Sequence, residues 1–422
     1  MERAGPTISK NVVLVGAGHA HVMVLRMFGM APVPGMRLTL ITREIHTPYS
    51  GMLPGLIAGH YSFADAHIDT APLTRFAGAQ LVEDEVVGLD LAARHVLCKR
   101  GPPVPYDLLS LNIGSTPNTG EIPGAAEYAI PVKPIDGFLK HFDALLARVI
   151  AAKGHTRIAL VGAGAGGVEL LLSVERRLRR EVERAGGAPA ALSFTLVSDA
   201  AEILPTFPPA FRTAFARVLA SRGIALASDA AVERVGAGFL VLTNGVRILA
   251  DEILWTTQAR PAAWLAATGL RLDERGFIRV DSNLQAEGRK EVFAAGDTIA
   301  FPGRTLPRSG VYAVRAGPPL AENIRRTLMG QALKPFRPQR EAMYLVSTGE
   351  RRAIGTRNGL VFEGAWVWRW KDWIDRRFMR KFAFPPIPPE EASSDGIAPQ
   401  NDKAAVLAQD SALDRAPARK SD

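Results

Sequence analysis

The sequence predicts an α/β fold, with two Rossmann-like units followed by a small C-terminal region. Three observations carry this. A β-branched run, Asn11 to Val15, breaks at a glycine-rich turn, Gly16 to His21, and is followed by a helical segment and a second apolar run, Met36 to Thr42. The same order returns from Arg157, with RIALV, the turn Gly162 to Gly167, a long helical segment and the run Leu192 to Ser198. The third is size and composition: 422 residues exceed one ordinary domain, and 47% hydrophobic with 22% charged residues is globular.

Each element follows from its local pattern. Asn11 to Val15 is short, continuous and β-branched, as expected of a strand buried on both faces of a parallel sheet. VMVLRMF repeats its apolar residues at helical spacing, and MRLTLIT completes a β-α-β unit of about 30 residues. In the second unit VELLLSVERRLRREVERA reads as a longer helix. YDLLSLNIGSTP (106–117) is an apolar strand running into a Gly/Ser/Pro turn, and DEILWTTQARP (251–261) is its counterpart. EVFAAGDTI (291–299) is a third such strand, ending at Gly296 and Asp297, and residues 310–329 follow as a helix. Beyond Phe336 come a strand pair, YLVSTGERRAIGTRNGLVF, and an aromatic and basic stretch, 365–384. The tail 385–422, rich in Ala, Ser and Asp, predicts disorder.

Composition excludes several chemistries. Cys98 is the single cysteine, which removes a disulfide framework, a paired-cysteine mechanism and a cysteine-rich metal centre. The eight histidines show no HExxH-type spacing, so no metal is expected. A net charge of +9 favours an anionic partner, whether nucleic acid, anionic lipid or a phosphorylated cofactor. Nucleic acid is set aside because the charge sits on no reader motif. Met1 to Lys10 lacks the apolar core of a secretory signal, and no run reaches the ~20 apolar residues of a membrane span. The expected location is cytoplasmic, in solution or peripheral on the inner face of the cell membrane.

The two turns carry the chemistry. Gly16-x-Gly18 stands between a strand and a helix, where the first glycine permits the tight turn and the second lets backbone approach a pyrophosphate. The helix N-terminus adds N–H groups and a positive dipole. His21 stands in place of the third glycine, so helix and strand must pack further apart; Gly162-x-Gly164-x-x-Gly167 is complete. An acid that would bind a ribose hydroxyl is out of register in both units: Thr42 and Arg43 end the first second-strand, and Ser198 then Asp199 end the other. NADH against NADPH therefore stays open. Asp297, closing the strand AAGD, suits a carboxylate hydrogen-bonded to a ribityl hydroxyl, although capping the next helix is the ordinary role of such a residue.

The order GAGHAH, HTPYSGMLPGLIAGHY (46–61), NIGSTP, GAGAGGVEL, AAGD and SGVYAVRAGPPLAENI resembles the flavoproteins with two dinucleotide-binding domains. These include the type II NADH dehydrogenases and the pyridine nucleotide-disulfide oxidoreductases. TPYSGMLPGLIAGHY and GVYAVRAGPPLAENIRR are most similar to the flavoprotein domain fused ahead of selenide, water dikinase. The resemblance spans about residues 10–384 and implies FAD on the first unit and NAD(P)H on an inserted second unit. It implies an FAD domain of residues 9–120 and 270–333, an NAD(P)H domain of 121–269, and a C-terminal region of 334–384. By motif, Gly16, Gly18, His19 and Ala20 would surround the FAD pyrophosphate, with Thr42 and Arg43 at the adenosine end. Tyr49, Ser50, Gly51 and Met52 would lie along the isoalloxazine, and Gly114 and Ser115 would close over the FAD. Gly296 and Asp297 would take the ribityl chain, and Gly310, Val311 and Tyr312 the pyrimidine end of the ring. Gly162, Gly164, Gly167 and Asp199 would hold the nicotinamide nucleotide. Glu169 would stand near nicotinamide and flavin as the candidate catalytic residue, or else serve only as favourable charge near a helix N-terminus.

The departures narrow the activity. Disulfide reductases and sulfide:quinone oxidoreductases need cysteines beside the flavin, and Cys98 is alone. The remaining mechanism passes hydride from nicotinamide to flavin, then electrons to an acceptor, which the resemblance implies is a membrane quinone. As a helix, residues 364–382 place Trp366, Val367, Trp370, Trp373, Ile374 and Phe378 on one broad side, with Arg369, Asp372, Arg376 and Arg380 mostly opposite. That is the composition of an interfacial helix, and packing on the protein's own core or on a homodimer partner is the alternative. A soluble reductase of selenium or sulfur compounds and a low-turnover flavin or nucleotide redox sensor are the competing readings.

Overall fold

The computed structural model describes residues 10–152, 154–257 and 259–384. The predicted tail, 385–422, lies outside them. Strand β1 (Lys10–Val15) runs into helix α1 (His19–Met30) and strand β2 (Met36–Thr42). The sheet they begin has five parallel strands in the order Val292–Ala294, Leu108–Leu111, β1, β2, Ala79–Glu83. Its strands are continuous apolar runs because both faces are covered; Val12, Leu14, Leu40, Leu111 and Phe293 are all fully buried.

The second unit repeats the plan. Strand β3 (Thr156–Val161), helix α2 (Ala165–Arg184) and strand β4 (Leu192–Val197) belong to a parallel sheet ordered Ile130–Pro131, Glu252–Trp255, β3, β4, Ala225–Ala227. In each sheet the chain leaves the first strand to one side and later returns on the other. The glycine turn therefore emerges at a topological switch point, where open α/β sheets bind ligands. Four motifs singled out from sequence lie at a strand's carboxyl end: Gly16 after β1, Asn112 to Ser115 after Leu111, Gly296 after Ala294 and Gly162 after β3.

The two carboxyl edges meet. Thr116–Pro117 pairs antiparallel with Ala259–Arg260, and the Trp255 indole donates to the Asn118 carbonyl at 3.1 Å. Helix α3 (Gly310–Leu328) crosses α1 closely, because a Cβ on Gly317 would stand 2.5 Å from the Met23 Cβ.

The C-terminal region adds three antiparallel strands, Tyr344–Ser347, Ala353–Arg357 and Leu360–Gly364, and helix α4 (Ala365–Arg380). The strands pack on α2, where a Cβ on Gly349 would collide with the Leu172 carbonyl. The one broad apolar side expected of α4 is divided between its inner and outer faces. Val367, Trp368, Lys371 and Asp375 are buried, while Trp366 (51% exposed), Trp370 (36%) and Trp373 (50%) share the outer surface with Arg369, Arg376 and Arg380. Both sides of the helix carry apolar residues. The inner side prevails because Val367 and Trp368 complete an apolar cluster with Met52, Tyr61, Ala66 and Ala353. Burying side chains of that size is worth about 2 kcal/mol each.

Candidate active site

The first turn is braced by a residue that sequence reasoning passed over. Asn112 Oδ1 accepts from the Ala20 and His21 N–H groups at 3.0 and 3.3 Å, and its Nδ2 donates to the Ala295 carbonyl at 2.7 Å. One side chain thus ties together the ends of three adjacent strands. Its closeness is why Gly18 must be glycine: a Cβ there would lie 2.3 Å from Asn112 Oδ1. Ala20 is consequently no free donor; it is fully buried and its amide is committed. An anion at this turn would meet the amides before it. His21, in the third-glycine position, is fully buried. Its Nδ1 lies 2.6 Å from the Gly16 carbonyl, which can only accept, so Nδ1 carries the proton and Nε2 accepts from Ser110 Oγ at 2.8 Å. Burial lowers its pKa to about 4 and keeps the ring neutral.

The second turn is open. Gly164 and Gly166 have nothing within 4 Å of an added Cβ, and no side chain caps α2. Gly167 does what the third glycine is expected to do, since a Cβ there would overlap the Gly162 carbonyl. At the end of β4, Ser198 is buried and accepts from the Ala200 N–H at 3.2 Å, leaving Asp199 as the exposed carboxylate.

Around the first turn, buried polar atoms lack a protein partner. His19 Nε2 and Ser115 Oγ are buried and unbonded. The His19 ring packs on Tyr49 at 5.5 Å, and burial lowers its pKa to about 4 against the pull of Asp297. Gly310, at the uncapped start of α3, has Ser50 Oγ 2.8 Å from where a Cβ would sit, with Val311 and the buried Tyr312 following. Gly114 has φ +73 and open space beside it. Thr42 is buried and donates to the Glu44 carbonyl at 2.9 Å, whereas Arg43 is exposed and lies 3.7 Å from Asp136. Asp297 follows Gly296 (φ +76) and is paired with Lys133 at 2.8 Å. Orphaned donors and acceptors, an uncapped helix and glycines that keep side chains out fit a polar cofactor such as FAD.

Met52 packs toward the C-terminal region. It is fully buried in a cluster with Tyr61, Val367 and Trp368, so its side chain packs on α4. Its neighbours instead meet a buried polar cluster that the aromatic pattern of α4 had hidden. Lys371 Nζ donates to the Gly51 carbonyl at 2.5 Å and to Asp375 Oδ2 at 2.7 Å, and the Tyr49 hydroxyl donates to Asp375 Oδ1 at 3.2 Å. The legible signal was an i,i+4 Lys–Asp pair inside an aromatic helix. Glu169, on the second turn of α2, accepts from the Ser347 N–H at 2.7 Å. Burial raises its pKa to about 7, opposed by Lys371 and the Ser347 bond. Burial opposes the Lys371 charge, but Asp375 and Glu169 keep its pKa above the usual value.

Cys98 ends the strand His95–Cys98 in an antiparallel sheet outside this cluster, and burial raises its pKa, so it is no activated thiol. A separate cleft of about 440 Å3 lies between helix Pro209–Ser221 and the C-terminal strands. Its Arg217 and Arg222 already pair with Glu363 and with Glu175 and Glu350. Among the described residues no group of three His, Cys, Asp or Glu side chains is arranged to hold a metal.

The family model described as pyridine nucleotide-disulphide oxidoreductase matches residues 10–317. A type II NADH:quinone oxidoreductase of Staphylococcus epidermidis is 24% identical over 366 residues, covering 83% of this chain and 89% of the relative. The NADH dehydrogenase-like protein YutJ of Bacillus subtilis is 23% identical over 352 residues, with 82% and 92% coverage. Among solved structures, the sulfide:quinone oxidoreductase of Aquifex aeolicus superposes with a TM-score of 0.74 at 18% identity, covering 89% of this chain and 91% of that one. NDH2 of Plasmodium falciparum, in complex with NADH, gives 0.73 at 14% identity, with 90% and 100% coverage.

Proposed function

The chain belongs to the pyridine nucleotide-disulphide oxidoreductase family, as an FAD-dependent NAD(P)H oxidoreductase, and from that premise we propose that it passes electrons to a membrane quinone. One observation carries the reading. Two nucleotide-type turns open at sheet edges that meet; Lys371 and Asp375 of α4 bond the Tyr49–Gly51 segment of one unit, and Glu169 of the other lies within the electrostatic reach of Lys371. FAD, when bound, accepts hydride from the nicotinamide and releases electrons one or two at a time.

The chain's own residues divide the remaining work. The uncapped N-terminus of α2, with Gly164 and Gly166 open, binds the nicotinamide pyrophosphate, and Asp199 meets the ribose. The FAD half uses the first turn, Ser115, Asp297 and the start of α3. On this assignment residues 9–120 and 270–333 form the FAD domain and 121–269 the NAD(P)H domain. Glu169, half neutral near pH 7, holds a proton where quinone reduction consumes two. Lys371 is a fixed positive charge beside it.

A quinone acceptor accounts for the outer face of α4. Phe362, Trp366 and Trp370 stack in a row with ring centroids 5.6 and 6.3 Å apart, next to exposed Arg369. Tryptophan with flanking arginine suits a bilayer interface, and no described helix is long and apolar enough to cross a membrane. A second copy of the chain is the alternative occupant of that face. The similarity of residues 47–61 and 310–326 to the domain fused to selenide, water dikinase supports a second reading, a reductase of selenium or sulfur compounds. The deciding experiment offers the reduced protein a quinone in anionic vesicles and, separately, selenium and sulfur acceptors. Quinone turnover with vesicle binding supports the proposal; turnover with only the others replaces it.

A further inference from the structure

We propose that the crossover segment Lys133–Asp136 is a clasp that retains FAD, with Lys133 as a positioning residue for Asp297 and Asp136 for Arg43. Nothing in the sequence pattern marks this segment. It follows the edge strand Ile130–Pro131 of the second sheet, to which Val132 adds a hydrogen bond from its N–H to the Trp255 carbonyl at 3.1 Å. Helix Ile135–Ala151 follows. It therefore belongs structurally to the second unit, yet its two charged residues both reach the first. Lys133 Nζ meets Asp297 Oδ2 at 2.8 Å, and Asp136 Oδ2 lies 3.7 Å from an Arg43 guanidinium nitrogen.

The two contacts sit at opposite ends of the FAD assignment, Asp297 at the ribityl chain and Arg43 at the adenosine. Three residues apart along the clasp, Lys133 and Asp136 are held by the start of one helix, so both contacts move together. Asp297 also lies within the electrostatic reach of the buried, unbonded His19. Lys133 meets Oδ2 of that carboxylate, and Oδ1 can still accept a hydroxyl donor. The lysine side chain is 38% exposed and Arg43 49% exposed, so both contacts are accessible to screening by salt. The inference rests on the FAD reading of Asp297 and Arg43.

The test follows the rise in flavin fluorescence as FAD leaves the purified holoprotein on dilution, at low and high salt. Lys133→Met is expected to release FAD at least tenfold faster, Lys133→Arg within about threefold of the parent, and Asp136→Asn in between. Release from the parent protein accelerates with salt, and from the Lys133→Met, Asp136→Asn double variant it does not. Asp297→Asn added to Lys133→Met costs little more, because the pair acts as one unit. Parent-like release from Lys133→Met overturns the clasp. So does equal loss in the Met and Arg variants with no change in salt dependence, which marks Lys133 as merely structural. A parent protein that carries no FAD would instead overturn the FAD reading itself.

Discussion

Gly164→Val separates the second nucleotide site from the fold that builds it. Gly164 is the N-cap of α2 with φ −72 and ψ 174, a conformation any residue adopts, and nothing lies within 4 Å of its Cβ position. A side chain there strains no backbone, and its Cβ meets no protein atom. Its cost to the fold is the weaker N-cap, about 1 kcal/mol or less. The isopropyl group does fill the space through which a pyrophosphate must approach the helix N-terminus. Losing about two charge-assisted hydrogen bonds at about 1.5 kcal/mol each raises the KM for nicotinamide nucleotide roughly 100-fold. The assay is steady-state NADH and NADPH oxidation by protein whose FAD content is measured on the same sample. Full FAD content with an unchanged KM would refute the assignment of the second turn. Gly167→Val is the contrasting variant: its Cβ would overlap the Gly162 carbonyl, so it loses soluble folded protein altogether.

Other expectations follow from the buried charges and the outer face of α4. The Glu169 carboxyl, protonated below about pH 7, predicts a kcat that falls as pH rises through that value and a flat profile for Glu169→Gln. His21, with its pKa lowered from 6.5 to about 4, contributes stability that is complete above pH 6.5 and lost as pH falls. That loss is worth about 3 kcal/mol by pH 4 and is read from unfolding midpoints against pH. Lys371→Met strands Asp375 without its cation and costs about 3 to 5 kcal/mol, whereas adding Asp375→Leu recovers most of it in the same melting experiment. Replacing Trp366, Trp370 and Trp373 together by serine abolishes pelleting with anionic vesicles while the protein still melts cooperatively at a modestly lower temperature, since all three rings are partly exposed and the Phe362–Trp366–Trp370 stacking is lost. Deleting α4 would be a poorer test, because it also removes Val367, Trp368 and Lys371 from the interior.

What the sequence revealed and what it hid have physical causes. Glycine turns between apolar runs are legible because the φ +84 of Gly16 and the φ +116 of Gly162 are costly for any other residue. The two-unit plan is legible through repetition, since two β-Gly-rich-α-β units imply two parallel sheets, whereas the strand order within each came from the structure. Asn112 was not, because in NIGSTP it reads as a turn former; only the register of Leu108–Leu111 beside β1 brings it to the Gly18 turn. The orientation of α4 stayed open for a related reason. Hydrophobic periodicity finds an apolar face but cannot choose between two of them. The choice fell to Met52 and Tyr61, more than 300 residues away in sequence. Lys133 is the same kind of case: its partner is fixed by two sheet edges meeting.

The central claim is that nicotinamide bound at the second turn reduces a flavin at the first, and that a quinone then takes the electrons. The most direct test adds NADH, and separately NADPH, to the purified yellow protein without oxygen while following the flavin's visible band, and then adds a quinone. Rapid bleaching by one donor and prompt return of colour with quinone is the predicted result. A band that neither donor bleaches, in protein that retains its FAD, would contradict the account.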